Sequence, residues 1–170
     1  MKFLKINCSV IILLLLSAAG LRAQEVVELK QPSSNKIVVK ILFRNGSICD
    51  PAGKEGITAL TANTLTEGGT KELTSTEIKD MLYPMAIDYS ATVDKEVTIF
   101  TFEMPVDFSA KFYPIMRDLL LSPRFDEQDF TRMKSNQQNY VDQVIRSSSD
   151  EEYSKKALEH LLFRGTNYQH

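Results

Sequence analysis

The eight residues Val97–Met104, VTIFTFEM, constrain this chain more than any other stretch. Their β-branched and aromatic side chains suit a pleated strand, and apolar groups fall on both alternations. That pattern predicts a central strand covered on both faces. The rest of the chain must supply the cover. Ile37–Phe43, IVVKILF, reads as a second buried strand, bounded by the turn residues Arg44-Asn-Gly-Ser47. A third strand is predicted near Ile87–Val93, joined to one near Glu96–Met104 by a tight Asp94-Lys95 turn.

Helical spacing fills the intervals. Ile57, Leu60, Thr61, Thr64 and Leu65 recur at three and four residues until Gly68-Gly69 stops the pattern. Thr74-Ser-Thr-Glu77 is a capping box, which opens a helix carrying Ile78, Met81 and Leu82. Past Pro105, Phe108, Phe112, Ile115, Met116, Leu119 and Leu120 mark another helix, ended by Ser122-Pro123. Asp126 or Asp129 caps a long helix with Phe130, Met133, Tyr140, Val141, Val144 and Ile145 on one face. Asp150 begins the last, with Tyr153, Ala157, Leu158, Leu161 and Leu162, and Gly165 closes it. The order β-α-α-β-β-α-α-α predicts an α+β domain with helices over an antiparallel or mixed sheet.

The N-terminus predicts export. Lys2 and Lys5 precede the apolar run Val10–Leu16, followed by Ser-Ala-Ala-Gly and a cleavable Leu21-Arg22-Ala23-Gln24. The run is shorter than the roughly 20 apolar residues a spanning helix needs. Residues 1–23 are therefore expected to be a signal peptide, 24–36 an extended lead-in and 37–170 the domain, in a periplasmic or secreted protein with no integral membrane span after cleavage. Loss of the cations Lys2, Lys5 and Arg22 takes the formal charge from −2 to −5. A mildly acidic chain with no basic run excludes a phosphate backbone as partner, so no nucleic acid is expected. Cys49 is then the only cysteine, which rules out an internal disulfide and predicts an inert, partly buried thiol.

The chemical inventory is thin. Only two histidines occur, His160 and His170, and no histidine precedes His160 by one helical turn, because Lys156 stands there. A tetrahedral zinc site needs three or four spaced ligands. His160 is read as structural rather than a ligand. No Gly-x-Ser-x-Gly elbow exists for a serine nucleophile. Asp126-Glu127, Asp129 and Asp150-Glu151-Glu152 fall at predicted helix starts, where carboxylates offset the helix dipole, and are read as caps. Lys155-Lys156 is read as a solvated face.

An ordered set of segments resembles a known family. A strand, Gly46-Ser47, Asp50-Pro51-x-Gly53-Lys54-Glu55-Gly56, a helix ending Glu67-Gly68-Gly69-Thr70, Leu121-Ser-Pro-Arg-Phe125 and Leu162-Phe-Arg-Gly-Thr-Asn-Tyr168 follow the order found in pitrilysin/insulinase-like zinc metallopeptidases. Active members carry His-x-x-Glu-His on the helix after the glycine: two histidines one turn apart bind zinc, and the glutamate activates water. Laid on this sequence, the motif places Ala59 and Asn63 at the histidines and Ala62 at the glutamate. The third family ligand is a glutamate on the later long helix, yet Ser135–Ser149 holds no glutamate and only one acid, Asp142.

The resemblance therefore implies a non-catalytic member, with no catalytic, cofactor-binding or metal residues of its own and with zinc expected only in an active partner. Family members build two-lobed chambers from several such domains, which implies a truncated chain. It also implies a structural or substrate-holding role beside an active zinc peptidase subunit or domain, gripping an extended peptide. An independent periplasmic peptide-binding or scaffold domain is the alternative. Zinc held by His160 and His170 at an unrecognised peptidase site is a third reading.

Overall fold

The computed structural model describes residues 25–147 and 150–169, so the predicted signal segment lies outside it. Contacts divide the chain into two units, Met1–Ser33 and Ser34–His170. In the first, the described residues Glu25–Ser33 form no helix or strand, and Val26, Val27 and Leu29 stand exposed.

The second unit is built on a three-stranded antiparallel sheet: β1 (Lys36–Phe43), β2 (Asp88–Val93) and β3 (Thr98–Pro105), in the order β1-β3-β2. The register sets Val39 and Tyr89 on either side of Phe102. Five α-helices accompany it among the described residues: α1 (Ile57–Glu67), α2 (Ser75–Leu82), α3 (Ser109–Leu121), α4 (Glu127–Asn139) and α5 (Asp150–Leu162). The predicted order of strands and helices is the observed one.

β3 is central, as its composition predicts, but only one of its faces is sealed. Thr98, Phe100, Phe102 and Met104 are buried, while Ile99, Thr101 and Glu103 on the other alternation are half-buried. Phe100, Phe102 and Met104 join Ala62 of α1, Ile78 and Leu82 of α2, and Phe112, Ile115, Met116 and Leu119 of α3 in one core cluster. Phe102 stacks on Tyr89 at 6.4 Å between centroids and meets Phe112 at 6.1 Å.

β1 departs further from its reading as a buried strand. Among the described residues it is an edge strand: Val39 and Ile41 pack on the core and the Phe43 ring meets Phe100 edge-on at 5.8 Å, yet Val38, Leu42 and Phe43 are 52%, 54% and 47% exposed. Apolar composition measures how much a strand gains from cover. Whether cover arrives depends on elements far away in sequence.

Beyond β1 the chain turns tightly. Ser47 and Ile48 donate their N–H groups to the carbonyls of Asp94 and Lys95, each at 3.0 Å. This ties the β1 exit to the β2–β3 hairpin. Gly46 permits the approach, because a Cβ there would stand 2.3 Å from the Asp94 oxygen. The 3₁₀ turn Ser47–Cys49 then leaves the Cys49 thiol exposed, contrary to the partly buried position predicted for it.

The capping box forms as predicted: Glu77 N–H donates to the Thr74 hydroxyl at 3.2 Å, and Thr74 N–H donates to the Glu77 carboxylate at 2.8 Å. The predicted long helix after Asp126 does not run through. α4 ends at Asn139 and becomes a π-helical turn, Tyr140–Ile145, which leaves Tyr140, Val141 and Val144 exposed instead of on a packed face. A π turn adds a residue per turn and rotates the stripe off its 3.6-residue line.

Candidate functional site

The helix singled out by the sequence is α1, and its start is held from a distance. The Asp50 carboxylate, 7% exposed, accepts from Gly56 N–H at 2.6 Å, from Thr58 N–H at 3.0 Å and from the Thr58 hydroxyl. It does the work of an N-cap although it lies outside the helix, satisfying donors the first turn leaves free. Gly56 enters at φ +88°, where a side chain would be strained. Along the helix, Thr61 and Thr64 turn their hydroxyls back to the carbonyls of Ile57 and Leu60 at 2.8 and 2.7 Å. For the buried Thr64 this satisfies a hydroxyl that water does not reach, while Thr61 is exposed.

The far end is pinned as well. Arg124 N–H donates to the Gly69 carbonyl at 2.9 Å and Lys71 N–H to that of Ser122 at 3.0 Å, so the α1 exit meets the α3 exit. α4 then runs along α1 in the opposite sense. Arg132 donates to the Glu67 carbonyl at 2.9 Å, while the Gln137 amide donates to the Gly56 carbonyl at 3.1 Å. One helix thus grips both ends of the other. The side-chain oxygen of Gln137 is buried without a hydrogen-bond partner among the described residues.

Asp129 closes the clamp by accepting from Ser75 at 3.0 Å and from Arg132 at 2.7 Å. Burial alone raises the pKa of this carboxyl, but Arg132, Ser75 and the Gly69 N–H outweigh it and hold it below the usual carboxylate range. A folded-state pKa below the unfolded value stabilises above about pH 4, and the contribution disappears as pH falls through the folded pKa. We expect the urea midpoints of the native chain and of Asp129→Asn to differ most at neutral pH and to converge on acidification below about pH 4. A gap that stays constant with pH would mean the carboxylate charge contributes nothing.

The three motif positions now have surroundings. Ala59 and Asn63 are half-buried and lie one turn apart, while Ala62 is 2% exposed and part of the core cluster. Two methyl groups and one amide do not make a donor set for zinc. Asp142, the single acid of the later segment, lies in the π turn and pairs with Arg146 at 3.0 Å. His160 is exposed on α5, its ring 2.9 Å from the Gln169 amide, and His170 is outside the described residues. Among the described residues no three His, Cys, Asp or Glu side chains gather in a way that would hold a metal ion.

Tyr89, packed against the core, is a poor proton donor. Burial first, then the carboxylates of Glu67 and Asp88, push the Tyr89 phenol up to about 12. Its role is packing against Phe102 and Phe112. Asp126 and the acids of α5 are where the sequence expected caps: Asp126 accepts from Gln128 N–H at 2.9 Å, and Asp150, Glu151 and Glu152 occupy the first turn of α5. Sequence reasoning missed Asp50, Arg132 and Gln137. An acid six residues before a glycine helix start is a faint signal, and nothing local announces the other two.

A family model described as "Insulinase (Peptidase family M16)" matches residues 25–170. The chain belongs to the insulinase family. Two solved structures share the fold of this insulinase-family chain. One is described as a peptidase M16 inactive domain from Pseudomonas fluorescens, with TM-score 0.71 and 16% identity over 81% of this chain and 33% of that one. The other is a protease from Helicobacter pylori, with TM-score 0.55 and 17% identity over 63% of this chain and 26% of that one. The chain thus spans about a third of the first and a quarter of the second. Among curated proteins none matches it. No helix among the described residues is long and apolar enough to cross a membrane.

Proposed function

We propose that this insulinase-family chain is an exported, non-catalytic domain that works beside an active zinc peptidase, as a structural and substrate-holding partner. The observation that carries the reading is the identity of three residues on α1: Ala59, Ala62 and Asn63 stand where the resemblance puts two zinc-binding histidines and a catalytic glutamate. A methyl group neither ligates a metal nor accepts a proton. The helix itself is kept, with a buried carboxylate at its start and α4 clamped across it. Retention of the scaffold without its chemistry fits a chain that shapes a chamber rather than cuts within it.

A free sheet edge favours a second reading. Among the described residues β1 has one strand neighbour, β3, and beside it an apolar groove of about 330 Å³ is lined by Ile37, Val39, Met104, Tyr113 and Met116. An independent peptide-binding domain would add an extended peptide to such an edge.

Two measurements on chain recovered from its envelope fraction separate these. The first reading predicts no stoichiometric zinc, no peptide cleavage by the chain alone, and a co-purifying chain that carries His-x-x-Glu-His. Chelator-sensitive cleavage by the isolated chain would overturn both readings. Peptide binding without a zinc-motif partner would leave only the second.

A further inference from the structure

The turn that ends β1 holds the one asparagine of the sequence that is followed by glycine, Asn45-Gly46. The pair can modify itself. The Gly46 amide nitrogen attacks the side-chain carbonyl carbon of Asn45, a step that a side chain on the following residue would crowd and that glycine leaves open. The new C–N bond closes a five-membered imide, the bond to the side-chain nitrogen breaks, and ammonia leaves with the Gly46 amide proton. Water then opens the imide at either carbonyl, giving aspartate or isoaspartate.

The fold supplies the reactants and withholds the motion they need. Asn45 is exposed, so water reaches its amide, whereas Gly46 is buried. A planar imide requires the Asn45–Gly46 peptide to eclipse the Asn45 Cα–Cβ bond, an arrangement outside the helical and extended conformations. That peptide is held at both ends. The Asn45 carbonyl accepts from the hydroxyl of Thr98, itself buried, at 2.7 Å. The Gly46 carbonyl accepts from Cys49 N–H at 3.0 Å, and the N–H groups of Ser47 and Ile48 are donated to the β2–β3 hairpin. The hairpin also crowds Gly46: a Cβ there would lie 2.4 Å from the Lys95 oxygen. Swinging this peptide therefore requires the β1 exit to come off the hairpin.

We infer that Asn45 is a deamidation site gated by the fold: the reaction runs when the β1 exit lifts from the β2–β3 hairpin and is suppressed while the exit is docked. Such local opening has its own free energy, below that of global unfolding. Isoaspartate at this position lengthens the main chain by a methylene group. Ser47 and Ile48 then no longer present both N–H groups to the Asp94 and Lys95 carbonyls, so the modified chain does not re-form the native exit. The inference is independent of the proposed function, since it depends on neither zinc nor a partner.

Peptide mapping by mass spectrometry tests it on the whole chain, incubated in mildly alkaline buffer with and without guanidinium chloride. In denaturant, Asn45 should deamidate at the rate of a free Phe43–Ile48 peptide in the same solution. In the folded chain the rate should be at least about tenfold lower. Thr98→Val removes the hydroxyl that holds the Asn45 carbonyl and should speed the reaction about tenfold in buffer but not in denaturant. Amide exchange at Ser47 and Ile48 should be faster in the purified isoaspartate form than in the native chain. The comparison of folded with denatured chain reads the gate even where Thr98→Val fails to fold. Equal rates with and without denaturant overturn the inference. So does a folded Thr98→Val that reacts no faster, or an isoaspartate form whose Ser47 and Ile48 exchange as in the native chain.

Discussion

Replacing Phe102 with alanine will cost about 3–5 kcal/mol, the range for truncating a fully buried aromatic side chain. The ring is 0% exposed, lies between Val39 and Tyr89 on the two neighbouring strands, and touches Phe112 of α3. Its ring meets Tyr89 of β2 and Phe112 of α3, so one side chain ties the sheet to a helix. Domains of this size are stable by about 5–15 kcal/mol, so the variant should be partly unfolded at 37 °C or melt far below the native chain. Phe102→Leu keeps most of the volume and should lose less than half as much. Urea unfolding followed by circular dichroism checks both. A loss under about 1 kcal/mol for alanine would place the centre of the core elsewhere.

Asp50→Ala will cost about 2–3 kcal/mol, because it removes an acceptor and leaves buried donors unpaired. Gly56 N–H, Thr58 N–H and the Thr58 hydroxyl all converge on this one carboxylate. The damage should be local before it is global: amide exchange at Thr58, Ala59 and Leu60 should speed up while β3 stays protected. Asp50→Asn retains an acceptor for Thr58 but turns an N–H₂ toward Gly56 N–H, and should fall between the two. If all three proteins exchange alike in α1, the cap contributes nothing and the α4 clamp alone holds the helix.

The two residues differ in how visible they are in the sequence. Phe102 sits in an alternating run of β-branched and aromatic residues, where period two already predicts a strand and a core position. Asp50 looks like turn punctuation before Pro51. Its partners lie six and eight residues on, at a distance set by the path of the loop and not by any period. The same contrast runs through the candidate site. Ala59, Ala62 and Asn63 were placed from a motif one helical turn long, whereas the grip of Arg132 and Gln137 on the ends of α1 joins residues 65 and 81 positions apart.

By itself the sequence determined the succession of strands and helices, the Thr74–Glu77 capping box, the central place of β3 and the membership of an insulinase-like scaffold. The first three rest on periodicity, caps and turn residues, interactions that close within a few positions of the chain, and the last on the resemblance of an ordered set of segments to the family. The tertiary structure alone decided which apolar surfaces are covered. It left β1 on an open edge, sealed only one face of β3, exposed Cys49, broke the long helix into a π turn, and rotated α5 so that its leucines face outward. Burial is a relation between distant segments. A hydrophobic pattern states what a segment would gain from cover, and only the packed chain shows which segment receives it.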